Sequence, residues 1–429
     1  MDTPSRRPLR RFLRLSTRGL MLLVLLIGVP LGWIVHRAHV QRDAVAAIQR
    51  AGGTVHYVPR NGPKSRLRTP DWLADLVGVD YLDSVISASV RKGNTDADLV
   101  AVGGLSRLEV LDFSGASITD EGLAHLSGLR RLLTLSLDRT AVTNRGLAHL
   151  KGMTSFLNLN LDETHVDGAG MEYLQGLTSL ETLNLRGTRV DDDGLARLKG
   201  LTKLQTLVLD GTRVTDAGLA SLRGMSGLTA LSLSKTAVTD AGLASLRGMS
   251  GLTALYFMKT AVTDAGLEHL EGMSKLDTLI LAQTDVADAG LVHLQRLPAL
   301  RRLFLDSTRV TDVGLAHLAT LDGLLSLGFS NTRITGSGLA DLKKMACLTS
   351  LNLGGTKIDD ASLAQLGGLT GLQRLWLNGT PITDAGLANL AGLPGLVFVS
   401  LTNTRTTDDC VTRLQKAIPK LKVLRDAPK

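Results

Sequence analysis

From residue 116 to residue 404 one position recurs every 24 residues without insertion. It reads Ala116, then Thr140, Thr164, Thr188, Thr212, Thr236, Thr260, Thr284, Thr308, Thr332, Thr356, Thr380 and Thr404. Around each stands the pattern L-x-x-L-x-L-x-x-T-x-V-T-D-x-G-L-x-x-L-x-G-L. Leu207 and Leu209 are two apart, which puts both side chains on one face of a strand. Beyond the turn at Thr212, Leu219 and Leu222 are three apart, as on one side of a helix or tight helical turn. Each copy is predicted as one short strand plus one short helix, unable to bury its leucines alone. Stacking the copies makes a continuous core. The predicted fold class is α/β: a solenoid of about 13 repeats, curved as a horseshoe, with parallel strands on the concave face and short helices on the convex face. The array is expected over 96–415, with 416–429 as a C-terminal cap.

The first hundred residues follow another pattern. Gly19 to Val35 (GLMLLVLLIGVPLGWIV) is 17 residues without a charge, preceded by six arginines and a single acid. A run this long sits at the short edge of what spans a bilayer as a helix. Arginines on its amino side predict that residues 1–18 form a basic cytoplasmic tail and that everything past Val35 lies beyond the membrane, periplasmic or extracellular. Trp33 stands where an interfacial aromatic is expected. The competing reading is a cleaved signal peptide, for which Ala44-Val45-Ala46 offers a small-x-small site nine residues further on. Residues 36–95 read as an adaptor and N-terminal cap. It comprises a helix from Val40 to Arg50 stopped by Gly52-Gly53, a strand around Val55 to Val58, a helix from Pro70 through Leu76, and a capping strand with Ile86, Ala88 and Val90 alternating.

Charge changes this picture little. Over 429 residues the formal net charge is +8, but residues 1–50 hold nine arginines against Asp2 and Asp43. The rest of the chain is nearly neutral, which excludes an electrostatic footprint for nucleic acid. With Cys347 and Cys410 alone, a disulfide scaffold and a multi-cysteine zinc site are excluded too.

The recurring polar residues are read as structural. Asp216, Asp240, Asp264, Asp288 and Asp312 recur two residues before a glycine. They are expected to cap the following helix or complete a turn, the glycine releasing the chain for a tight bend; calcium is the competing reading. The threonine hydroxyls are expected to bond the backbone leaving each strand. His269, His293 and His317 share one repeat position, but helices 8–10 Å apart do not bring three imidazoles to 2.0–2.1 Å from one zinc, so solvated histidines are expected. No phosphate-binding glycine loop, G-x-S-x-G elbow or H-E-x-x-H is present. The sequence therefore carries no catalytic constellation, and no cofactor or metal is implied.

In its T-D-x-G-L turns the array resembles bacterial leucine-rich repeat proteins, similar to ribonuclease-inhibitor-like and F-box-associated repeats. It departs from the cysteine-containing subtype in having Thr where that family places Cys or Asn. The resemblance covers about three quarters of the chain and implies protein binding and no reaction.

Function is then sought at outward strand positions, four residues before each ladder threonine. There the early repeats are small and polar, whereas Tyr256, Ile280 and Phe304 stand on consecutive strands. Met258 and Trp376 are expected to extend this apolar surface, and Arg302 and Asp306 to rim it. Scatter on a regular scaffold is the competing reading. Residues 214–231 and 238–255 are identical, yet the next strands diverge at once, Ser232-Leu233-Ser234 against Tyr256-Phe257-Met258. The expected function is membrane-anchored binding of a protein or peptide on the concave face, with no enzyme activity. The alternatives are a passive envelope spacer and an adaptor recruiting partners to an enzyme.

Overall fold

The computed structural model describes residues 17–58, 84–90 and 95–426. The basic segment 1–16 and the helix expected from Pro70 to Leu76 lie outside the described residues. Among the described residues sixteen strands form one sheet whose spatial order is the sequence order. Strand β1 (Thr54–Tyr57) pairs antiparallel with β2 (Val85–Ser89), and every later pairing is parallel. Within the array the register advances by one repeat, as in Leu255↔Leu279↔Leu303. Each array strand has three residues, the middle one buried, as in Thr206–Val208. A helical segment follows on the other face, four residues long in Asp216–Leu219, seven in Asp312–Leu318 and ten in Asp408–Ala417. One apolar cluster runs unbroken from Ala44 to Leu421. This is the predicted leucine-rich solenoid.

Two ladders hold each turn. Thr212 Oγ donates to the Leu209 carbonyl at 2.6 Å, and the same bond recurs at Thr140 and Thr380. The residue just before this threonine is left-handed in every repeat, including non-glycines such as Lys235 and Lys259, both at φ 58°. Its backbone N–H donates into the next repeat, Lys235 to the Met258 carbonyl at 2.7 Å. That bond fixes a conformation ordinary residues avoid.

The aspartates do something the sequence reading missed. Thr239, not Asp240, is the N-cap of its helical turn, its hydroxyl accepting from Ala241 N. Asp216 reaches across to the next repeat, Oδ1 accepting Thr239 N–H at 2.8 Å and Oδ2 the Thr239 hydroxyl at 2.6 Å. The glycine two residues after each aspartate is likewise not a bend: its φ is not left-handed. A Cβ on Gly242 would fall 2.4 Å from Asp216 Oδ1, so glycine clears the path of the preceding repeat's carboxylate.

The amino-terminal helix also differs from expectation. Helix α1 (Thr17–Arg50) is continuous for 34 residues through Pro30, so the apolar run and the Val40–Arg50 helix are one element. Its last turns bury Ala38, Gln41, Ala44, Val45 and Ile48, and the Gln41 side-chain oxygen accepts Val85 N–H at 3.2 Å. The alternation expected of β2 holds at Ala88, and at Val90 just past its end, both buried, whereas Ile86 is half-buried and Val85 faces the core instead. Among the described residues no helix is long and apolar enough to cross a membrane. Seventeen uncharged residues rise about 26 Å against a hydrocarbon core of about 30 Å.

Candidate functional site

Because each strand buries its middle residue, the residues on either side stand in two columns on the inner face. A third column follows past the next buried leucine. Ile280 is in register with Tyr256 on one side and Phe304 on the other, and all three are half-buried. Neighbouring strands lie about 4.8 Å apart, so these side chains form one contiguous apolar patch. Met258 joins it from the third column, while Phe257, between the two, is fully buried.

Two residues expected as rim are bound within the chain. Arg302 donates from Nε to Thr278 Oγ at 2.7 Å and from its terminal nitrogen to Asp277. Asp306 accepts Ser330 N–H at 2.9 Å and Asn352 Nδ2 at 3.1 Å. Burial pushes its carboxyl above the usual carboxylate range. Trp376 does not extend the patch. It stands three strands past Phe304, about 14 Å away, with Gly328 and Asn352 between, and packs at a tilt against Phe398 with centroids 5.4 Å apart. Phe398 lies in the first column, which the sequence reading followed only at Arg302.

The inner face of the early repeats is a polar network. Ser136 and Asn160 donate along the strands, Ser136 Oγ to Asp138 at 2.9 Å and Asn160 Nδ2 to Ser136 Oγ at 3.1 Å. Burial raises the Asp138 carboxyl, but hydrogen bonds from Ser114, Ser136 and Arg139 outweigh it and hold the group below its ordinary range. At Asp162, with Arg186 only at 3.8 Å, burial prevails and the carboxyl is raised.

On the helical side the histidines are half-buried rather than solvated. His293 Nδ1 lies 2.9 Å from Glu271, and His269 Nδ1 lies 3.3 Å from Glu268 without hydrogen-bond geometry. Among the described residues no group of three or more His, Cys, Asp or Glu is placed to hold a metal ion. Cys347 is exposed and Cys410 buried, both as free thiols.

A family model described as Leucine Rich repeat matches residues 106–127, 176–199 and 344–367. A search of the curated proteins finds no match. Among solved structures, an internalin of Listeria monocytogenes superposes with a TM-score of 0.54 at 22% identity, covering 83% of this chain and 93% of its own. A leucine-rich repeat protein of Leptospira interrogans gives a TM-score of 0.58 at 16% identity, covering 83% of this chain and 92% of its own. At these identities the likeness is one of fold.

Proposed function

We propose that this chain is a membrane-anchored binding protein that docks a protein or peptide partner on its concave face and has no catalytic activity of its own. One observation carries the reading: Tyr256, Ile280 and Phe304 stand in register on adjacent strands of an inner face that is otherwise mostly polar. A leucine core does not need them there. Their exposure leaves apolar area that a partner covers, and aromatic anchors of this kind dominate binding energy. The membrane part of the proposal is supported by α1, whose apolar side chains at Met21, Leu22 and from Val24 to Val35 are exposed around the helix. A run slightly shorter than the bilayer core is accommodated by local thinning and by flanking residues such as Trp33 and Arg37, whose guanidinium lies 5.7 Å from the indole centroid.

The test is capture of partners by the full chain and by a Tyr256→Ala, Phe304→Ala variant. Truncating two anchors lowers affinity by about thirtyfold or more. Melting should stay nearly unchanged, since both side chains lie off the core. Equal recovery of the same partners by the variant overturns the concave site and favours the spacer reading.

A further inference from the structure

Three cations gather where α1 leaves its apolar run. Arg37 lies two residues past Val35, and helical side chains tilt toward the amino end. Its guanidinium accordingly leans back over Trp33. Its Nη2 donates to the Ser84 hydroxyl at 2.5 Å, and Arg107 Nη1 donates to the same oxygen at 3.3 Å. Ser84, Arg107 and Arg131 stand three residues before Ser87, Val110 and Thr134. Those three are partners across β2, β3 (Val110–Asp112) and β4 (Thr134–Ser136), so Ser84 and the two arginines share one end of adjacent strands, about 4.8 Å apart. In the next two repeats the same position holds Ser155 and Ser179, which confines the arginine pair to the end that carries α1.

The cluster lacks an anion. Among the described residues no carboxylate pairs with Arg37, which is half-buried. Burial, with the like charges of Arg107 and Arg131, pushes its guanidinium below the usual range. A counter-ion would remove that cost. The acids of the helix packed on α1, Asp96–Val102, are committed elsewhere, Asp96 to Thr119 and Asp98 to Thr95 N–H. Ser84 accepts from both arginines, yet among the described residues nothing accepts its own proton. Guanidiniums and a hydroxyl donor gathered without a carboxylate suit the oxygens of a phosphate. Beside an exposed apolar helix, the phosphate at hand belongs to a lipid.

We propose that Arg37, Arg107 and Arg131, with the Ser84 hydroxyl, hold the headgroup phosphate of an anionic phospholipid in the leaflet that faces the array. This rests on the reading of α1 as a membrane anchor and adds the lipid that the anchor selects. A zwitterionic headgroup carries the same phosphate, but its own cation is repelled by the three arginines.

Native mass spectrometry of the full chain tests this, the chain being held in neutral detergent with equal amounts of dioleoyl phosphatidylglycerol and dioleoyl phosphatidylcholine. The wild type should retain phosphatidylglycerol in preference. Arg37→Gln and Arg131→Gln should each lower that preference about fivefold. Arg213→Gln, exposed further along the array, should leave it unchanged. Arg131 is exposed and its side chain makes no hydrogen bond or ion pair among the described residues, so its loss leaves the fold intact. Melting curves check Arg37→Gln. No preference in the wild type, an undiminished one in either folded variant, or an equal loss in Arg213→Gln overturns the proposal. If inorganic phosphate displaces the phosphatidylglycerol from the wild type, the cluster serves a free anion and the lipid proposal falls. Flotation with vesicles of phosphatidylcholine alone tests the anchor separately. A chain that floats but prefers no headgroup keeps its anchor and loses this site, whereas one that does not float loses both.

Discussion

Asp216 and Thr239 stand 23 residues apart and clasp consecutive repeats through two hydrogen bonds, the carboxylate accepting both the threonine N–H and its hydroxyl. The clasp recurs from Asp96–Thr119 to Asp384–Thr407. At Asp264 the partner is Ala287 and only the N–H bond remains, at 2.7 Å; the other exceptions are paired changes. Where the aspartate becomes Asn144, the threonine becomes Asp167 and the side-chain bond reverses, Asn144 Nδ2 donating at 2.6 Å while its Oδ1 still accepts the Asp167 N–H at 3.1 Å. Where it becomes Gly168 or Gly336, the threonine becomes Asp191 or Asp359, each capping its own helical turn. One carboxylate per junction is kept throughout.

Asp216→Ala should therefore destabilise the array by about 2 kcal/mol, since hydrogen bonds to a charged group are worth about 1.5–3 kcal/mol each and this one is partly solvated. Urea unfolding measures it. An unchanged midpoint would mean that water replaces the carboxylate without loss.

The reversed junction gives a sharper test with a defined pH dependence. Asn144→Asp sets a second carboxylate against Asp167 and should destabilise the fold near neutral pH by about 2 kcal/mol. One of the pair then titrates above its unfolded value, so the defect should fade as pH falls through that raised pKa. Adding Asp167→Thr rebuilds the common clasp and should restore stability at all pH. At wild-type junctions the sign is opposite. Hydrogen bonds from Thr407 hold Asp384 below its ordinary value. Its contribution is thus fully present above about pH 4 and lost as pH falls through the lower, folded pKa. Raised Asp162 and Asp306 oppose this, gaining stability on acidification.

The glycine beside each clasp predicts a third outcome. Gly242→Ser should destabilise by about 1–3 kcal/mol through the clash with Asp216 Oδ1. In an Asp216→Gly background the same change should cost markedly less. The chain already contains that combination, Ser362 standing over Gly336, with its hydroxyl on the Thr335 carbonyl at 3.1 Å. Thermal unfolding of the double-mutant cycle decides it, and additive effects would break the link between the two positions.

How far this was legible depends on where each residue's partner lies. The period, the strands and the threonine bond to the carbonyl three residues back are local, and the sequence reading contains them. The aspartate's partner lies a full repeat away. Because every repeat looks alike, a bond to the next Thr-Asp is indistinguishable in sequence from a cap on its own. The signal was the exceptions, Asn144 with Asp167 and Gly336 with Asp359, which change together. Trp376 falls outside the patch for a simpler reason: Gly328 and Asn352 stand between it and Phe304.

The ladder threonine should matter for folding and not for binding. Thr260 is buried and donates to the Phe257 carbonyl at 2.7 Å. Thr260→Val keeps the shape and leaves that carbonyl without its donor, at about 1–3 kcal/mol. The melting temperature should fall while the low-temperature circular dichroism and the capture of partners stay as in the wild type. An unaltered melting curve would mean that the hydroxyl adds nothing to the turn.

The last prediction separates the two halves of α1. Met21, Leu22 and the apolar residues from Val24 to Val35 present exposed side chains, whereas Ala38, Gln41, Ala44, Val45 and Ile48 are buried against the first repeats. Val40 packs so closely that a Cβ on Gly104 would lie 2.4 Å from its Cγ1. A chain beginning at His36 should then be soluble without detergent and melt like the full chain. One beginning at Ala51 should lose several kcal/mol, since burying each aliphatic side chain is worth about 1.5–3 kcal/mol. In spheroplasts carrying the full chain, added protease should digest the array and leave the membrane segment behind, as the arginine asymmetry predicts. Full protection of the array would reverse the orientation, and an intact soluble array before protease would mean that the helix is cut. Equal stability of the two shortened chains would show that α1 is an appendage rather than the cap of the solenoid.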